Sequence, residues 1–126
     1  IPKAVYFPAQ GRGELSLMMN GWGSLTGESS YILSSIIHSR GDKLGALNRT
    51  GYGKPEVDAL IVDALGTLDD EERRKKLVHL MELTMEDMAV IPIVTLSALW
   101  ASRADKVVYE PRADEETRAA NIKPAS

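Results

Sequence analysis

Between residues 21 and 31 the chain reads GWGSLTGESSY, and this stretch places a tryptophan, several hydroxyls and a carboxylate within a few positions of one another. Trp22 is flanked by Gly21 and Gly23, which have no side chains to cover it. It can therefore present an apolar platform and an indole N–H to an approaching molecule, or serve as a core anchor whose N–H is satisfied internally. The residue types allow both. Glu28 with the hydroxyl of Ser24 or Thr26 outlines a base and a nucleophile, but no histidine lies nearby in sequence to carry the proton. This favours binding over catalysis.

The other reactive residues have simpler explanations. His38 and His79 are the only histidines, and neither stands in a metal-ligand spacing. Asp69-Asp70 and Glu86-Asp87 could suggest acid–base work, yet both pairs fall near expected helix ends, where capping and charge pairing account for Asp69-Asp70. The basic run Arg73 to Lys76 follows four carboxylates that neutralise it, so it reads as a solvated helix face. Gly11-Arg12-Gly13 is too short for a phosphate loop. The chain has no cysteine, which excludes disulfides, thiolate metal sites and cysteine nucleophiles. No metal site or cofactor is implied.

These residues must be positioned by one domain's worth of chain. At 126 residues, 44% hydrophobic and 26% charged, the sequence can build a core. A net charge of −3 argues against nucleic-acid or anionic-membrane binding, which needs a basic face. No apolar run approaches a bilayer span. The chain opens with Ile1-Pro2 instead of methionine, so it is expected to be processed or cut from a longer protein.

The patterns predict strands at 3–7, at 14–20 (Leu15, Leu17 and Met19 alternating) and at 90–101, pairing in one sheet. Helices are predicted at 29–38, 55–66 and 70–88. Pro55 opens the second of these. Val57, Leu60, Ile61, Ala64 and Leu65 form its apolar stripe, and Gly66 is placed to end it. Asp69 and Glu72 form a capping box for the third. Four acid-first pairs follow at i,i+4, Asp69–Arg73 through Glu72–Lys76, at about 0.2–0.5 kcal/mol each. Leu77, Leu80, Met81, Thr84, Met85 and Met88 make its buried face. Residues 40–53 read as an ordered surface loop, and the polar tail from Arg103 as poorly anchored unless something else holds it.

The order of these features resembles one family. A Gly-Trp turn after a hydrophobic segment precedes a short helix, then NRTGYGKPEVDALI (48–61), DDEERR (69–74), MEDMAVIPI (85–93) and WASR (100–103). This is similar to the C-terminal portion of the family 5 solute-binding proteins of ABC importers, the oligopeptide, dipeptide and nickel class. The resemblance implies an α/β fold, the C-terminal lobe portion of a two-lobed, type II-like periplasmic binding protein with a mixed sheet flanked by helices. Residues 1–102 would belong to that lobe, and 103–126 would cross back to an absent N-terminal lobe. The full-length protein would be periplasmic, or lipid-anchored outside the cell. It would capture a peptide or peptide-like solute between its lobes without catalysis and deliver it to ABC permease subunits in the membrane.

In this resemblance the wall of the solute cleft is Trp22, Gly23, Ser24, Leu25, Thr26 and Glu28. Peptide-binding relatives commonly carry G-W-x-x-D, whose aspartate pairs with the peptide's amino group; here Leu25 occupies that position. A leucine cannot compensate an ammonium charge, and Glu28 is the nearby carboxylate that could substitute, or could cap the following helix. The solute stays open among a modified peptide, an opine-like compound and a small cation complex. With half a cleft, the chain alone is expected not to bind a peptide, and to self-associate through surfaces meant for the missing part. The rival reading is a protein-interaction module without solute binding, with Trp22 as a hot spot.

Overall fold

The computed structural model describes residues 1–112, 114 and 116–125. The chain divides into two compact units, 1–91 and 92–126. The first is helical. Its elements are α1 (Lys3–Gly11), α2 (Ser30–Ile32), which runs on into a π-helical turn at Leu33–Ile37, α3 (Pro55–Gly66) and α4 (Asp70–Glu86).

The long helices form where the sequence patterns place them. Pro55 stands at the start of α3, where its missing N–H leaves no bond unmade. Asp69 accepts the Glu72 N–H at 2.8 Å and caps α4. Val57, Ile61 and Ala64 of α3 meet Leu77 and Leu80 of α4, and Leu33 and Ile37 of the π turn complete the core. The buried stripes are narrower than expected. Leu60 and Leu65 remain 36% exposed, and Met88, beyond the end of α4 and at φ +52°, is 73% exposed.

The three predicted strands do not form, and neither does the mixed sheet expected from them. Residues 3–7 belong to α1: the short run Val5-Tyr6-Phe7 fits either period, and the N–H groups of Val5 and Tyr6 bond to the Pro2 carbonyl. Residues 14–20 have the alternation of a strand but no partner for a ladder. Instead the Tyr6 hydroxyl donates to the Met19 carbonyl at 3.0 Å and accepts the Met19 N–H at 2.8 Å, standing in for a neighbouring strand at one residue. Leu17 and Met19 are left 85% and 70% exposed. Residues 90–101 are likewise unpaired among the described residues, with Ile91, Ile93, Val94, Leu96 and Leu99 all exposed. An alternating pattern supplies one side of a sheet, and its stability comes from cross-strand neighbours.

In the second unit the tail is better held than its composition suggests. Strand β1 (Val107–Tyr109) pairs antiparallel with β2 (Ile122–Pro124), Val108 opposite Lys123. Trp100 lies against Tyr109 at 5.9 Å and donates its indole N–H to Thr117 Oγ1 at 2.9 Å.

The loop joining the π turn to α3 is organised by one buried side chain. Asn48 donates from Nδ2 to the His38 and Tyr52 carbonyls at 2.9 and 2.7 Å. Its Oδ1 accepts from the Thr50 N–H, the Thr50 hydroxyl and the Gly51 N–H, each at 3.2 Å. Gly45 completes the loop with φ +67°, and a Cβ there would meet the Ser39 carbonyl oxygen at 2.2 Å. Asn48→Ala leaves several buried groups unpaired and should destabilise the chain by about 3 kcal/mol. Urea denaturation checks this; a loss within measurement error would show that the loop is held by other contacts.

Candidate functional site

The loop at 21–28 is positioned from its far end. Glu28 Oε1 accepts from Arg73 Nε at 2.6 Å, and Oε2 from Arg73 Nη2 at 2.9 Å and from the Ser30 hydroxyl at 2.6 Å. The remaining Arg73 nitrogen donates to the Ala64 carbonyl at 2.8 Å, which also accepts the Thr67 N–H, and to the Leu65 carbonyl at 3.3 Å, at the C-terminus of α3. One guanidinium on α4 thus ties the loop to the end of α3. The forked bond from Arg73, with the Ser30 hydroxyl, holds the Glu28 carboxyl at about 2, well below the usual carboxylate range.

Ahead of this clamp, Gly27 takes φ +71° and turns the chain. Ser24 Oγ donates to the Glu28 carbonyl at 2.9 Å and lies 3.3 Å from Thr26 Oγ1, which accepts the Glu28 N–H. Trp22 stacks on Tyr31 of α2, with ring centroids 5.1 Å apart and planes inclined by 27°. Trp22 is half-buried; its Nε1–H is itself buried and has no hydrogen-bond partner. Leu25 is 74% exposed. Among the described residues the backbone N–H groups of Gly23 and Ser24 also make no internal bond.

All six residues singled out in the sequence therefore lie on one turn, but they divide in role. Trp22, Gly23, Ser24, Leu25 and Thr26 form an outward segment with free donors and apolar surface. Glu28 faces inward and is already bound. Its side chain does not cap α2, and replacing its partner with a ligand ammonium would break a forked ion pair. Nor is it set up as a base: the Ser24 and Thr26 hydroxyls meet the Glu28 backbone, not its carboxylate, and a carboxylate of so low a pKa holds a proton poorly at neutral pH. An open groove of about 890 Å³ runs between the 27–29 turn and α4, along Arg73, Leu77, Met81 and Met85; of the six residues only Glu28 lines it.

Two contributors escaped the sequence reading. Tyr31, not singled out by its spacing in the sequence, backs the indole. Arg73 was assigned to a surface pair with Asp69. Its position was nevertheless readable: residues 73, 77, 80 and 84 fall on one helical stripe, and the last three are buried. Among the described residues no group of His, Cys, Asp or Glu could hold a metal ion, and no helix is long and apolar enough to cross a membrane. No protein-family model matches the chain, and no match is found among curated proteins or solved structures.

Because the Glu28 carboxyl is depressed to about 2 from an ordinary value of 4.5, its contribution to stability is present above pH 4.5 and is lost as the pH falls toward 2. Glu28→Gln should therefore lower stability at neutral pH and flatten the acid limb of the stability profile. Denaturation of both proteins across this range checks it; parallel profiles would mean the clamp is not formed.

Proposed function

We propose that residues 21–26 form one wall of a solute cleft, in the substrate-capture component of an ABC importer, with the second wall on another lobe. The observation that carries the reading is the Trp22–Tyr31 stack on a turn whose next, exposed residues, Gly23 and Ser24, present free backbone donors. Such a surface offers an apolar plate and a few hydrogen-bond donors, the composition of a small-molecule site. The resemblance in motif order supports the same reading. So do the unpaired alternating segments 14–20 and 90–101, which have the pattern of strands in a larger sheet.

With Leu25 exposed and Glu28 bound to Arg73, this wall provides no carboxylate for a free amino terminus. The reading is therefore of a peptide-like solute held here by its apolar part and its carbonyl oxygens. Delivery to permease subunits, a periplasmic or membrane-anchored location and a crossing of residues 103–126 to the other lobe belong to the same proposal. It involves no catalytic step.

In the two-lobed protein, Trp22→Ala should weaken solute affinity about tenfold or more, while Trp100→Ala leaves it unchanged. Unaltered affinity in Trp22→Ala would remove residues 21–26 from the cleft and favour the interaction-module reading. The 126-residue chain alone should show no peptide binding in calorimetry, since one wall cannot enclose the ligand. It should also self-associate through its exposed apolar segments as concentration rises. Light scattering that shows a monomer throughout would contradict the second expectation, and tight peptide binding the first.

A further inference from the structure

Apart from the 21–31 turn, the helical unit holds a concavity of about 410 Å³ between the end of α1, Ser39-Arg40 and the 48–53 loop. Its lining carries Arg12, Arg40 and Arg49 and no carboxylate, in a chain whose net charge is −3. Arg12 is balanced by the exposed Glu14 beside it, at 2.5 Å. Arg40 and Arg49 have no carboxylate within ion-pair distance among the described residues. Arg40 donates once, to the Gly11 carbonyl at 3.3 Å. Arg49 is half-buried, its guanidinium 4.7 Å above the Phe7 ring.

Gln10 also lines the concavity and is only 1% exposed. Its Nε2 donates to Asn20 Oδ1 at 3.1 Å, while its Oε1 has no donor. A buried amide oxygen without a partner is costly, and on a concavity also lined by two arginines that lack a carboxylate it points to a complementary group. That group must offer acceptor oxygens to the arginines and one donor to Gln10. The loop that frames it is fixed by Asn48, so little ordering is needed on binding.

We propose that this basin binds a small oxyanion bearing a hydroxyl donor, of the hydrogen-phosphate or hydroxycarboxylate type. Planar guanidinium forks hold such oxygens in pairs, and the hydroxyl satisfies Gln10. The site is independent of the cleft at residues 21–26 and does not need the second lobe.

Titration of the 126-residue chain with inorganic phosphate and with malate, followed by the backbone amide resonances of Gly51 and Gly53, tests it. Saturable shifts are expected with at least one of the two. They should weaken about tenfold or more in Arg40→Gln/Arg49→Met, where the methionine keeps the packing on Phe7. If that variant unfolds, Arg40→Gln alone, at an exposed position, gives the same reading with a smaller loss. Absence of saturable shifts with either anion, or equal affinity in the folded variant, would overturn the site. Succinate binding as tightly as malate would overturn the role given to Gln10.

Discussion

The arrangement of the helical unit turns on a single guanidinium. From α4, Arg73 reaches two other segments at once: the Glu28 carboxylate at 2.6 and 2.9 Å, and, at 2.8 Å, the Ala64 carbonyl at the end of α3. Arginine can do this because its donors are fixed in one plane and point in different directions, so that a carboxylate and a helix terminus can be served together. A lysine would provide the charge without the fork. The contact is half-buried, so it is screened less than a surface pair, and each remaining acceptor has a donor. Its consequence is that the turn bearing Trp22 is anchored at Glu28 to the two longest helices.

A second node, Asn48, does for the loop before α3 what Arg73 does for the turn before α2. Both are polar side chains that end several backbone groups at once, and both lie next to a concavity. The two concavities have opposite chemistry. One is a mostly apolar groove along α4, beside a turn with an aromatic plate; the other is lined by three arginines and no acid. The oxyanion basin is proposed at the second of these, whereas the wall proposed at residues 21–26 does not line the first.

Local signals in the sequence translated well where their partners are also local. Pro55, the Asp69 cap and the stripe Val57, Ile61, Ala64 act within a helix or between adjacent helices, and α3 and α4 appear where those residues place them. The pairs Glu71–Lys75 and Glu72–Lys76 form as expected, while Arg74 turns to Glu71 and Arg73 leaves the surface for Glu28. The strand readings at 14–20 and 90–101 failed for a different reason. Period-2 alternation describes one strand's two faces, and a ladder needs a second strand that nothing in the local pattern specifies. At the candidate site, Trp22 and its neighbours stood out by composition, but the inward role of Glu28 depended on a residue 45 positions away in sequence.

The anchoring of the 21–28 turn requires the Glu28–Arg73 contact to be an energetic coupling and not only a proximity. A double-mutant cycle with Glu28→Gln and Arg73→Met, read by urea denaturation at neutral pH, isolates it from the capping of α3, since that contribution is lost in every protein lacking Arg73. A coupling of roughly 1 kcal/mol or more is predicted for a forked, half-buried pair, with the Trp22–Tyr31 ring contacts weakened in both single variants. Additive single effects, with those ring contacts intact in both, would contradict it.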